Sequence, residues 1–207
     1  MNIEVYADIW CPFAHVGLRL VDDQRRRHRP DLGLIVRAWP LELVNGEAAD
    51  AAATVRHADE LREQVDPTLF AGLDIDHFPK STLEGLALVA RAYRRGTETG
   101  TKASFAVREA LFEHGQDISD PAVLAGLAGL LDIDLPDDTD RQAVLDDWHG
   151  GQQRGVLGSP HFFAGDANVF CPSLAINRDA DGTLSIATDR GRLDKFLRDC
   201  FEQSPAN

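Results

Sequence analysis

Residues 3–17 read Ile3-Glu4-Val5-Tyr6-Ala7-Asp8-Ile9-Trp10-Cys11-Pro12-Phe13-Ala14-His15-Val16-Gly17, and two periodicities meet there at a single cysteine. Ile3 to Ala7 alternates apolar and polar positions, the two-residue period of a short strand. From Phe13 to about Arg27 the apolar positions recur at helical spacing. Pro12 suits the first turn of that helix, where a missing N–H costs no hydrogen bond. Cys11 therefore stands where a strand ends and a helix begins. Unpaired N–H groups and the positive end of the helix dipole favour a thiolate there, and such positions lower a cysteine pKa from about 8.5 to roughly 3.5–7.5. That context favours a nucleophile over a packed core cysteine.

Further along, a second strand is predicted over Leu34–Leu43, after the turn Pro30-Asp31-Leu32-Gly33, with Pro40 marking an edge or a bend. From Ala51 to Gly151 no strand pattern occurs. Five helices are predicted there, over Ala53–Val65, Thr82–Arg95, Ala103–Glu113, Pro121–Leu131 and Asp138–Gln153. Strands return at Pro160–Ala164, Leu174–Asn177 and Leu184–Ala187. A last amphipathic helix runs from Arg190 to about Glu202 and carries Cys200 on its apolar stripe. The order is β-α-β, a helical block, then β-β-α.

The chain has 207 residues, 34 acidic against 21 basic, for a net charge of -13. That balance argues against nucleic acid and anionic membrane surfaces as partners, since both are bound mainly through Lys and Arg. No stretch reaches the roughly 18 to 20 apolar residues that span a bilayer. The opening MNIEVYADIW has no basic leader and no apolar signal core, Met1 reads as a natural start, and a cytoplasmic location is expected. Three scattered cysteines suit neither a disulfide framework nor zinc, and no metal site is expected.

Trp10-Cys11-Pro12-Phe13-Ala14-His15-Val16-Gly17 resembles the WCPWCYVG signature of the FrnE-type branch of DsbA-like thiol-disulfide oxidoreductases. Gly155-Val156-Leu157-Gly158-Ser159-Pro160-His161-Phe162-Phe163 is similar to that family's G-V-x-G-V/T/S-P-x-F loop, whose proline is cis. The segment from Leu111-Phe112-Glu113 to Val123-Leu124 looks like the branch's helix pair. The resemblance covers nearly the whole chain. It implies an α/β thioredoxin fold with an all-helical domain, residues 51–154, inserted between strands two and three of a thioredoxin-like domain formed by residues 1–50 and 155–207. It further implies that Cys11 is catalytic, that Pro160 faces it, and that Trp10, Pro12, Phe13 and Ser159 meet the substrate. Disulfide-bearing proteins or small thiols would be partners, and a homodimer is compatible with this reading.

The family's second cysteine would fall at position 14, which is Ala14. Release of a mixed disulfide by a neighbouring thiol cannot then occur within the motif. In one reading Cys11 acts as a monothiol, with no tightly bound cofactor and an external low-molecular-weight thiol such as glutathione or mycothiol completing the cycle. In a second, Cys171 of Phe170-Cys171-Pro172 is the resolving thiol, which requires the two Cα atoms to come within about 7 Å. A third is the thiol-cofactor-dependent isomerase and kappa-class glutathione transferase branch, whose Ser-Pro-Tyr-Ser motif is missing here. A fourth is a non-catalytic binding protein. His15, one helical turn after Cys11, is an accessory candidate that would stabilise a thiolate as the imidazolium.

Overall fold

In the computed structural model, which describes residues 2–202, the alternating N-terminal segment forms β1 (Asn2–Ala7). Met1 lies outside the described residues. The helical pattern that follows Cys11 is α1 (Pro12–His28). It returns the chain to β2 (Gly33–Ala38), which pairs in parallel with β1 and sets Ile3 opposite Leu34 and Val5 opposite Val36. The second strand is shorter than expected. The chain breaks at Trp39-Pro40, and Leu41–Asn45 forms a short helix, α2, because Pro40 at its N-cap holds φ at -63° and has no N–H to extend the ladder.

The helical stretch is α3 (Ala51–Gln64), α4 (Leu83–Tyr93), α5 (Thr97–Phe112), α6 (Pro121–Leu131) and α7 (Asp138–Gln153), with a single 3-10 turn at Ile75–His77. Helix α5 starts two turns earlier than its apolar spacing suggests. Gly100 in that early part lies so close to Tyr93 of α4 that a Cβ would fall 2.2 Å from the ring. Then come β3 (His161–Ala164), β4 (Ala167–Phe170), β5 (Leu174–Arg178), β6 (Leu184–Thr188) and α8 (Arg190–Glu202). The main sheet has the order β2-β1-β3-β4, while β5 and β6 pair only with each other. Strand β4 is an addition to the predicted elements. It folds back on β3 through the two-residue turn Gly165-Asp166, with Gly165 at φ 56°.

Ile3, Val5, Leu18, Val21, Phe162 and Phe196 form one buried cluster, in which α1 and α8 cover a face of the sheet. A second, larger cluster is built by the helical block, and Leu174, Leu184 and Ile186 of the β5–β6 hairpin belong to it. The outer edge of β2 is closed by side chains rather than by another strand. Val36 N–H donates to Tyr93 Oη at 2.7 Å, Ala38 N–H to Asp147 Oδ2 at 3.0 Å, and Thr101 Oγ1 donates to Leu34 O at 2.6 Å. Leu184 and Ile186 of β6 likewise donate to Glu60 and Gln64 of α3. Among the described residues no helix is long and apolar enough to cross a membrane.

Replacing Tyr93 by Phe strands the buried Val36 N–H without an acceptor. It should destabilise the protein by about 1–2 kcal/mol, read as a lower denaturant midpoint with an unchanged slope. An unaltered midpoint would show that this edge contact is dispensable.

Candidate functional site

Cys11 is the N-cap residue of α1, with φ -80° and ψ 109°, and Pro12 occupies the first turn. Its side chain does not face open water. The residue is 6% exposed, and Sγ–H donates to Ser159 O at 3.2 Å. The Ser159–Pro160 peptide bond is cis. Successive carbonyls of this loop therefore hold both halves of the site, because Pro160 O accepts from Cys171 N–H at 2.9 Å. Ser159 Oγ accepts from Asp8 N–H at 3.0 Å, which ties the loop to the end of β1. On its other side, His161 Nδ1 accepts from Leu157 N–H at 3.1 Å. That bond leaves Nε2 to donate to Asn168 Oδ1 at 3.3 Å, a neutral tautomer that fixes the loop against β4.

Beneath the thiol lies a carboxylate that the motif did not announce. Asp8 is 0% exposed. Its Oδ1 accepts from Ile9 N–H at 2.6 Å and its Oδ2 from Leu41 N–H. Burial pushes its pKa up to about 6, against those donors and the nearby Arg108. Arg108, on α5 and also 0% exposed, donates to Asp8 O at 3.1 Å and to Ser104 Oγ at 2.6 Å. Burial lowers its pKa to about 10.

The balance at Cys11 differs from the helix-terminus argument. Burial pushes the thiol above its ordinary range and is the largest effect; the Ser159 side chain and the Ala14 and Phe13 N–H groups pull it down, and the Asp8 charge adds to the rise. The resting group is a neutral thiol. His15 supplies no compensating charge. Its ring is buried between Phe70 and Phe112, with Nε2 2.7 Å from Glu113 Oε1, and burial holds the imidazole below its usual pKa. Through Glu113 the ring joins α1 to the end of α5, and its burial opposes the imidazolium expected beside Cys11.

The remaining sequence candidates separate into interior and groove. Trp10 is buried, stacked 6.1 Å from Phe78, and Pro12 and Pro160 are buried too. Phe13, Ser159 and Cys171 line a cavity of about 330 Å³, together with Phe170, Ile176, Arg178 and Leu184. Cys171 has φ 46°, a left-handed conformation uncommon for a residue with a Cβ, and burial pushes its thiol to about 12. Cys200 is 0% exposed in the core under α8. Ala14, three residues after Cys11, is buried. Asp137 caps α7 through a capping box with Asp140, and Asp147 on α7 accepts from the Ala38 N–H of β2. Among the described residues no group of His, Cys, Asp and Glu is placed to hold a metal.

Sequence reasoning missed Asp8, Arg108 and Arg178. Asp8 carries a weak signal, an acid three residues before the cysteine at a strand end. The other two carry none, since each reads as a surface residue on its own element.

No curated protein matches the chain by sequence. Among solved structures, a probable DsbA oxidoreductase from Streptomyces coelicolor superimposes with a TM-score of 0.65 at 17% identity, over 100% of this chain and 92% of that one. The cytosolic disulfide reductase DsbM from Pseudomonas aeruginosa gives 0.59 at 14% identity, over 98% of each chain, and its complex with GSH gives 0.60 at 13% identity with the same coverage. A 2-hydroxychromene-2-carboxylate isomerase gives 0.62 at 14% identity, over 82% of this chain and 88% of that one. At these identities the likeness is one of fold. The DSBA-like thioredoxin domain matches residues 2–179. With that match, the strand order β2-β1-β3-β4 and the cis proline facing the cysteine, this chain belongs to the DSBA-like thioredoxin-domain family.

Proposed function

We propose that the protein is a thiol-disulfide oxidoreductase working through Cys11 alone, in the reducing direction, with a small external thiol completing each cycle. The observation that carries this reading is the Cys11 sulfur at the start of α1, 3.2 Å from Ser159 O on the cis-proline loop. In the first step the Cys11 thiolate attacks one sulfur of a disulfide RSSR. The bond from Cys11 to that sulfur forms as the RS–SR bond breaks, and RS⁻ leaves with the electron pair and takes a proton from solvent. In the second step an external thiolate R′S⁻ attacks the sulfur attached to Cys11. RSSR′ departs, and Cys11 regains its electron pair and its proton. The net change is RSSR + R′SH → RSSR′ + RSH, and a second R′SH takes RSSR′ through the same two steps to R′SSR′ and RSH, so that the substrate disulfide is reduced.

The neutral resting thiol supports the reducing direction. A thiol of raised pKa is intrinsically more nucleophilic once ionised and is a poorer leaving group. An oxidant of the DsbA type instead owes its power to a stabilised reduced form. Resolution by an external thiol is favoured over Cys171 on magnitude. Burial pushes the Cys171 thiol up to about 12, which disfavours the thiolate that resolution needs. Glutathione or mycothiol fits the second step, and the GSH complex of the P. aeruginosa neighbour supports that class.

Replacing Cys11 by Ser should abolish disulfide turnover, while Cys171→Ser and Cys200→Ser should keep most of it. Loss of turnover in Cys171→Ser, with a Cys11–Cys171 disulfide in the oxidised wild type by peptide mapping, would replace the monothiol scheme. Unchanged turnover in Cys11→Ser would remove the reading altogether.

The alkylation rate of Cys11 should still climb above pH ~8.5, the ordinary thiol range. A plateau near neutrality would contradict a raised pKa. Because the Asp8 charge disfavours the thiolate, Asp8→Asn should move this profile to lower pH, with native circular dichroism confirming that the variant is folded. An unmoved profile in a folded Asp8→Asn would mean that Asp8 does not influence the thiol.

A further inference from the structure

The cavity lined by Ser159, whose carbonyl accepts from the Cys11 thiol, has an uneven charge lining. Its walls are the apolar Phe13, Phe170, Ile176 and Leu184, the polar Ser159 and Cys171, and one ion, Arg178. Among the described residues no carboxylate lines it, in a chain with 34 acidic and 21 basic residues. Arg178 ends β5, and its Nη1 donates to Gly182 O at 2.9 Å across the turn of the β5–β6 hairpin. That bond fixes the side chain on the hairpin and leaves Nε and Nη2 without a partner among the described residues. Glu60 lies on the outer edge of β6, where it accepts from Leu184 N–H at 3.2 Å.

The hairpin that presents Arg178 is separate from the main sheet and packs on the helical block. It therefore forms a wall of the groove that the strands around Cys11 do not supply. Ile176 on the same strand and Phe170 opposite are each 38% exposed, so the rim is apolar and wet. A volume of about 330 Å³ lies at the small-molecule end of ligand cavities.

We propose that Arg178 is the residue that selects the charge of the substrate at Cys11, and that the groove takes small carboxylate-bearing disulfides and thiols in preference to neutral or cationic ones. This rests on the reading of Cys11 as the attacking thiol. The carboxylate pairs with the free edge of the guanidinium while the chain between carboxylate and sulfur lies along Phe13 and Ile176. A planar, always charged guanidinium with two free donors suits a carboxylate in this way.

The test uses three disulfides of similar length, the dianion of 3,3′-dithiodipropionate, neutral 2-hydroxyethyl disulfide and dicationic cystamine, with a neutral reducing thiol held constant. In parallel, alkylation of Cys11 by iodoacetate and by iodoacetamide is followed by intact mass. The wild type should favour the anion in both assays. In Arg178→Ala the anion-to-neutral ratio should fall about fivefold, the upper end for one exposed ion pair. Arg178→Lys should keep part of it and Arg178→Glu should invert it. Raising the salt should shrink the wild-type preference toward that of Arg178→Ala. A wild type without charge preference, or an Arg178→Ala that slows all reagents equally, would overturn the proposal. If no disulfide turns over, the alkylation ratio still decides: a fall of about fivefold in Arg178→Ala upholds the charge selection while the oxidoreductase reading fails, and an unchanged ratio ends both.

Discussion

The carboxylate of Asp8 is fully withdrawn from water, and the chain segments that meet at the thiol are the groups that replace its hydration. An isolated buried carboxylate costs several kcal/mol, so it is tolerated only where donors are fixed around it. Here they are Ile9 N–H at the start of the cysteine loop, Leu41 N–H at the head of α2, and the side chain of Thr82 before α4. The backbone of the same residue holds Ser159 through its N–H and accepts from Arg108 through its carbonyl. One residue thus joins β1, α2, the cis-proline loop and the helical block. If any of these moved away, a charge would be left uncompensated in the interior.

That arrangement also sets the character of the thiol. The segments that solvate Asp8 and Arg108 exclude water from Cys11, and desolvation acts on all three ionisable groups at once. Each is pushed toward its neutral form, the acid and the thiol upward and the guanidinium downward. The N–H groups of the first turn act in the opposite direction without prevailing. A helix terminus does favour an anion, but by about 1 kcal/mol in ordinary settings, which is less than the cost of removing a thiolate from water.

What the sequence made legible follows from the range of each interaction. The strand-to-helix junction at Cys11 and the paired cysteine and proline motifs are local patterns, and they specified the fold class. Leu34–Leu43 reads as one strand because its residues favour β structure. The stop at Pro40 depends on a helix whose first N–H is claimed by Asp8. Strand β4 carries only four residues, too few for its alternation to be read, although Gly165-Asp166 is a hairpin turn on its face. The direction of the thiol's shift and the roles of Arg108 and Arg178 depend on residues far apart in sequence. Arg108 and Asp8 are 100 positions apart, and no local pattern records such an approach.

The side chains that close the outer edges of β2 and β6 bear on how the architecture can change over evolutionary time. An uncovered strand edge templates the addition of a strand from another molecule. Tyr93, Thr101 and Asp147 cover one edge and Glu60 and Gln64 the other, all supplied by the helical block. The block is therefore also a guard against self-association. A shortened descendant that discarded these helices would keep its cysteine and its sheet but would expose two adhesive borders. Loss of the helices would have to be accompanied by charges, prolines or a new partner along both strands.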